Sequence, residues 1–204
     1  MRPTGWPMEA GLLHQDTKMA RKAIWESIAT TTAKQLIAGY SELIQWEIDQ
    51  KGSNAFLLTF MFKPLPGSKN GILIQMNNEV QRVYSTFVTR VARDPRSESQ
   101  KDHLPFMITA PDRSGSKRKQ QTLSDWNIND GLHIHGILCV PWKCRLKVDV
   151  PTHFAEKQLL YVKNQLLRID IRPIYSTNVT FVVDYAFAAL KNGNATLDDI
   201  QVYH

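Results

Sequence analysis

The chain has few of the features that mark disulfide-rich, membrane-spanning or low-complexity proteins. Only 2 of its 204 residues are cysteine, which is too few for a disulfide framework. Its strongly apolar stretches, such as Phe56 to Phe62, are far shorter than the ~20 residues that a membrane-spanning helix needs. Gly and Pro contribute 10 residues each, and no internal repeat or long linker is evident. We therefore expect a globular protein with no membrane partner.

The first residues also lack the apolar core of a secretory signal peptide. Met1 to Leu13 contain one Arg, two Pro and no continuous apolar run. Together with the scarcity of cysteine, this predicts a cytoplasmic protein. The composition, 43% hydrophobic and 22% charged, is typical of a globular chain that builds its own core.

The positive charge is concentrated in one part of the sequence. The net charge is +6, from 25 Lys and Arg against 19 Asp and Glu. Between Arg113 and Lys147 there are seven basic residues and two acidic ones, so this stretch carries most of the excess. It is either a solvated loop region or a surface that binds phosphates. The basic residues are Arg113, Lys117, Arg118, Lys119, Lys143, Arg145 and Lys147.

The hydrophobic spacing predicts an N-terminal helical extension in residues 1–50 and an α+β domain in residues 51–204. In the extension, a helix from Thr17 to Asp49 is expected to break near Gly39. A polar hairpin connection is predicted from Arg113 to Asp130. The predicted strands are Phe56–Lys63, Leu104–Ala110, Leu132–Val140, Ile169–Ile174 and Ile200–Tyr203, and the predicted helices are one capped by Asn77 or Asn78, Thr152–Asn164 and Thr180–Lys191.

This order of elements predicts the fold class. Strand, helix, strand, strand, helix, strand is the order of a ferredoxin-like or RRM-like α+β domain with an antiparallel sheet. In that arrangement we expect the helices on one face of the sheet and an open second face. The fold alone does not determine the function, because many unrelated activities share it.

His133 and His135 interrupt the most apolar predicted strand. Side chains two residues apart on a strand point to the same face, so the two imidazoles share one space. Neutral imidazole binds divalent ions, and an ion held there would polarise a phosphoryl oxygen. The alternative is a chance pair whose rings are exposed or hydrogen-bonded. Because an unpaired ring on a buried strand costs about 1–3 kcal/mol, the pair favours a metal site.

Three segments, in a fixed order, resemble the motifs of the HUH endonucleases. Gly131 to Leu138 (GLHIHGIL) resembles the His-hydrophobic-His signature, and Phe56 to Phe62 resembles the strand motif that precedes it. Asp184 to Lys191 (DYAFAALK) resembles the helix that carries the nucleophilic tyrosine. The resemblance extends from Phe56 to Lys191 and is greatest to the rolling-circle replication initiators of bacteria.

The resemblance implies a single-tyrosine enzyme that nicks and joins single-stranded or hairpin DNA of a plasmid or mobile element. Tyr185 would form a 5′-phosphotyrosine, with a divalent metal, Mn²⁺ or Mg²⁺, bound by His133 and His135. Initiators carry a lysine one turn after the tyrosine; here Ala188 occupies that position, and Lys191 is the nearest lysine. A helicase or another replication protein is an expected partner.

The third metal ligand and the nucleophile each have more than one candidate. The strand Leu104–Ala110 contains no carboxylate, so Asp112, just past its end, is the best substitute, with Asp130 as a second. Tyr161 is a rival to Tyr185, but it precedes the strand Ile169–Ile174, which is early for the nucleophile in the family order.

The departures from the family pattern keep a second function open, a catalytically degenerate module of the same fold that binds single-stranded nucleic acid. A small-molecule metalloenzyme of the cupin type also carries an HxH strand, but its barrel needs more strands than this helix-rich chain offers.

The basic residues from Arg113 to Gln120 and from Lys143 to Lys147 flank the histidine strand in sequence, so we expect both groups to border one DNA-binding face. Trp126 and Trp142 would either stack on bases there or pack in the protein.

Overall fold

A computed structural model describes residues 31–113 and 129–204 of the chain, which form an antiparallel sheet with helices on both faces. The strands are β1 (Asn54–Phe62), β2 (Phe106–Arg113), β3 (Leu132–Val140), β4 (Leu166–Ile174) and β5 (Gln201–Tyr203). The helices are α1 (residues 31–49), α2 (Lys69–Val91), α3 (Val150–Glu156), α4 (Gln158–Tyr161), α5 (Val179–Ala186) and α6 (Ala188–Lys191), with 3₁₀ turns at Glu98–His103, Asn129–Gly131 and Leu197–Asp199.

The strand order in the sheet is β4-β1-β3-β2-β5, and every neighbouring pair is antiparallel. β1 and β2 are therefore parallel to each other, and α2 connects them across one face while β3 lies between them. This is the ferredoxin-like α+β arrangement, so the predicted fold class is confirmed.

The first face of the sheet is covered by α2. Even-numbered residues of β1, among them Phe56 and Phe60, point to this face and belong to one core cluster with Val80 and Phe87 of the helix. The helix begins at Lys69, well before the predicted cap at Asn77 or Asn78, so that prediction is wrong. The cap is Ser68, whose side chain accepts a hydrogen bond from the backbone N–H of Gly71.

The second face is covered in part by α1, α5 and α6, which corrects the expectation of helices on one face alone. Ile37 and Ile44 of α1 and Val183 of α5 form a second core cluster with strand residues such as Ile137. β3 is buried along its whole length, and a strand buried on both faces has the largely apolar sequence seen here, which only the two histidines interrupt. α1 runs without interruption through Gly39, so the predicted break is wrong.

Other elements differ from their predicted bounds. β2 continues past Pro111 to Arg113, because β5 pairs only with Met107 to Thr109 and leaves the rest of β2 as an edge, where proline is tolerated. The predicted helix Thr152–Asn164 is two short helices, α3 and α4. The interior of the predicted polar hairpin lies outside the described residues. Among the described residues, no helix has the length and apolar character needed to cross a membrane.

Candidate metal centre

Two neighbouring strands bring three potential metal ligands together on the second face of the sheet. In the β2–β3 register, Asp112 lies opposite His133 and Ala110 lies opposite His135. The two histidines are 7% and 2% exposed, so their rings are held within the fold rather than in solvent. The two-residue spacing therefore places both imidazoles on one face of β3, as predicted. The extension of β2 to Arg113 brings the Asp112 carboxylate to the same place.

The distances within this group suit one metal ion. The Nε2 atoms of His133 and His135 are 3.0 Å apart, and Oδ2 of Asp112 lies 3.8 Å and 3.6 Å from them, respectively. Ligand atoms about 2.1 Å from one ion, at angles of about 90° to 110°, would be about 3.0–3.4 Å apart. The two Nε2 atoms have this spacing, and the two distances to Asp112 exceed its upper end by about 0.2–0.4 Å. Two imidazoles and one carboxylate are also a common donor set for divalent transition metals. The residues present fit a divalent cation.

Hydrogen bonds at the other nitrogen of each ring orient the two imidazoles. Nδ1 of His133 lies 3.0 Å from the carbonyl oxygen of Gly131, so Nδ1–H is the donor there. Nδ1 of His135 lies 3.1 Å from Oγ1 of Thr59, which is opposite His135 in the β1–β3 register. When Nδ1 carries the proton in both rings, both Nε2 atoms have a free lone pair for a metal.

Burial and charge favour the ligand forms of these groups. Burial lowers the pKa of His133, and the neighbouring His135 lowers it further, so this imidazole stays neutral at physiological pH. Burial raises the pKa of Asp112, but its contacts with His135 and His133 outweigh that effect and leave the pKa below its ordinary value. A neutral imidazole and an ionised carboxylate are the forms that bind a metal.

Tyr185 lies beside His135, one of the three ligands. Its ring centroid is 5.0 Å from that of His135, with an angle of 53° between the ring planes. α5 packs on the sheet through Val179, Val183 and Ala186, and this leaves the Tyr185 side chain 51% exposed at the edge of the metal centre. The tyrosine and the histidines are therefore on the same face, as the predicted mechanism requires.

No family model, curated protein or solved structure matches the chain. The resemblance to HUH endonucleases therefore stays a prediction, and the chemistry of the site depends on its own geometry.

Lys191 and Tyr161 have different surroundings from those that a catalytic role would need. The ammonium group of Lys191 pairs with the carboxylate of Asp184, the residue before Tyr185, rather than with the three ligands. Tyr161 is fully buried, and its hydroxyl hydrogen-bonds Nε2 of His153 at 2.8 Å in the core of the first face. Tyr161 is therefore a core residue and not a rival nucleophile.

The predicted basic residues do not all border the metal centre. Arg113 is the last residue of β2 and adjoins Asp112. Lys117, Arg118 and Lys119 lie outside the described residues, as do Trp126 and the side chain of Asp130. The group Lys143, Arg145 and Lys147 follows the far end of β3, and the stretch from His135 to Val140 alone spans about 17 Å. Lys143, Arg145 and Lys147 therefore lie at the end of β3 away from the metal centre, and of the first group only Arg113 is within the described residues.

Thr59 is the site residue that sequence reasoning missed. Its only sequence signal is its place in a predicted strand, and its contact with His135 depends on the register between β1 and β3. That register joins residues 76 positions apart in the chain, which no local pattern specifies.

Proposed function

We propose that the chain is a metal-dependent enzyme that nicks and joins single-stranded DNA through a 5′-phosphotyrosine. The observation that carries this proposal is the position of Tyr185, half-exposed, with its ring 5.0 Å from that of His135 in the candidate metal centre. A phenol next to a metal centre is the pairing that phosphodiester transesterification uses.

Asp112, His133 and His135 would hold the divalent cation, and at least one of its coordination positions would be left for a substrate. When bound, the cation supplies the positive charge that polarises a phosphoryl oxygen. Thr59 and the Gly131 carbonyl keep both imidazoles turned toward the same point.

The covalent step belongs to Tyr185. Its hydroxyl oxygen forms a bond to the phosphorus while the bond from phosphorus to the 3′ oxygen breaks. The phenol proton passes to water, which the exposed half of the side chain reaches, and the 3′ oxygen leaves as a hydroxyl after taking up a proton. One phosphodiester bond replaces another, so the reverse reaction rejoins the strand without ATP.

The surroundings of the centre support a nucleic-acid substrate. Phe181, one turn before Tyr185 on α5, is 74% exposed, and the strand residues Arg168 and Arg172 of β4 are exposed as well. In the β1–β4 register, Asp170 lies opposite Thr59, so Arg168 and Arg172 are on the same face of the sheet as the histidines. Exposed aromatic and cationic side chains are the groups that contact bases and phosphates.

The test is an assay for a covalent adduct. The protein is incubated with labelled single-stranded oligonucleotides and Mn²⁺, and we expect an adduct that survives denaturation and is absent with EDTA. Tyr185→Phe should abolish it, whereas the matched control Tyr175→Phe, at a tyrosine that is 62% exposed, should retain it. An adduct that persists in Tyr185→Phe would overturn the assignment.

The engagement of Lys191 by Asp184 favours a second candidate, a catalytically degenerate module that binds single-stranded nucleic acid. This candidate predicts Mn²⁺ binding and oligonucleotide binding without any adduct. The same incubation therefore separates the two functions.

A further inference from the structure

A second surface with exposed aromatic rings lies at the end of the sheet opposite the metal centre. Trp142 follows the last residue of β3 by two positions and is 64% exposed, and Trp46 of α1 is 48% exposed. A lysine lies over each ring: Lys143 Nζ is 4.9 Å from the ring centroid of Trp142, and Lys51 Nζ is 4.9 Å from that of Trp46. Large exposed tryptophans of this kind mark binding surfaces more often than scattered small apolar residues do.

Trp142, Lys143 and Lys51 border a groove, which we call the distal groove. One part is a cavity of about 230 Å³ lined by Lys51, His103, Pro141, Trp142 and Lys143. It adjoins a cavity of about 640 Å³ that shares Lys51 and Pro141 with it and that Arg96 and Lys101 also line.

The distal groove is positively charged. Its lining contains four cationic side chains, Lys51, Arg96, Lys101 and Lys143, and one carboxylate side chain, Glu47, which pairs with Lys51 at 2.8 Å. Lys101 pairs with Glu98 at 2.7 Å. Within residues 31–113 and 129–204, no ion pair engages Arg96 or Lys143, so these two charges are available to an anionic partner.

We propose that the distal groove is a second binding site for single-stranded nucleic acid, separate from the metal centre. Trp142 stacks on a base, and Lys143 and Arg96 contact phosphates. Exposed aromatic rings beside cations suit an unpaired strand, whose bases offer faces that a duplex keeps stacked. The substrate class rests on the proposed function, but this binding needs neither a metal nor Tyr185.

The test measures affinity without catalysis. Binding of a fluorescent thymine homopolymer to the full chain is followed by anisotropy in EDTA. We expect Trp142→Ala to weaken binding about 5- to 150-fold, the range for loss of one stacked base, and Trp142→Phe to retain most of the affinity. Lys143→Gln should reduce the slope of log K against log salt by about 0.7, while the matched control Lys157→Gln should leave the slope unchanged.

Several results would overturn the proposal. The first is the combination of parental affinity in Trp142→Ala with an unchanged salt slope in Lys143→Gln. The second is equal affinity for duplex and single-stranded DNA. The third is binding to anionic lipid vesicles and not to oligonucleotides. The Trp142 ring also lies close to Gly52, so Trp142→Ala could lower the melting temperature. In that case the salt slope of Lys143→Gln decides whether the distal groove binds the oligonucleotide. Adduct formation by Trp142→Ala with a short oligonucleotide is scored separately, so failure of the distal groove and failure of the proposed reaction give different results.

Discussion

Replacing Thr59 with valine tests whether the hydrogen bond to His135 sets the metal affinity. Valine keeps the shape of threonine but removes Oγ1, which lies 3.1 Å from Nδ1 of His135. Without that acceptor, the tautomer with the proton on Nδ1 is less strongly favoured. In the other tautomer Nε2 carries the proton and has no free lone pair for the metal. Loss of such an outer partner weakens metal binding about 10- to 100-fold, which is about 1.4–2.8 kcal/mol.

The assay is calorimetric titration of the parent and the variant with Mn²⁺, supported by thermal unfolding at one fixed, saturating Mn²⁺ concentration. The stabilisation by metal should fall by the same amount, about 1.4–2.8 kcal/mol, because it varies with the logarithm of the dissociation constant. Thr109→Val is the matched control, since Thr109 is a buried threonine on β2 whose methyl group lies near Gly136 on the other face. Equal Mn²⁺ affinity in Thr59→Val and the parent would refute the reasoning.

Three further predictions concern the core. Gly136→Ala should lower the free energy of unfolding by about 1–3 kcal/mol in urea titrations, because the added Cβ would lie 3.2 Å from a ring carbon of Phe60. Tyr161→Phe should cost about 1 kcal/mol by the same measurement and leave the adduct assay unchanged, since it removes only the hydrogen bond to His153. Burial, and then the charge of Arg90, lower the pKa of His153. The unfolded chain therefore takes up this proton at a higher pH than the folded protein, and stability should fall as the pH drops below roughly 6.5, less so in His153→Gln.

The histidine strand could be predicted closely from the sequence. The structure has β3 at Leu132–Val140, the predicted bounds, because an apolar run between Gly131 and Pro141 leaves little choice of where the strand begins and ends. Gly131 adopts φ of 71°, a conformation that favours glycine, and its carbonyl oxygen accepts the His133 hydrogen bond.

The parts of the site that depend on pairing between strands could not be predicted with the same precision. The sequence places Asp112 just past a strand that ends at Ala110, whereas β2 continues and holds the carboxylate opposite His133. Pro111 suggests that the strand ends before it. β2 tolerates this proline because β5 pairs only with Met107 to Thr109, so Pro111 lies on an edge of the sheet. Local patterns identify the strands, but the register sets which side chains meet.

The separation between the metal centre and the distal groove follows from the same strand geometry. His135 and Lys143 are eight positions apart in sequence, yet most of that interval is extended strand, so the two sites are about 17 Å or more apart. If both sites bind one DNA strand, the second contact is intramolecular once the first has formed. A strand long enough to reach both should then bind more tightly than either short strand alone, and a strand too short to span β3 should gain nothing.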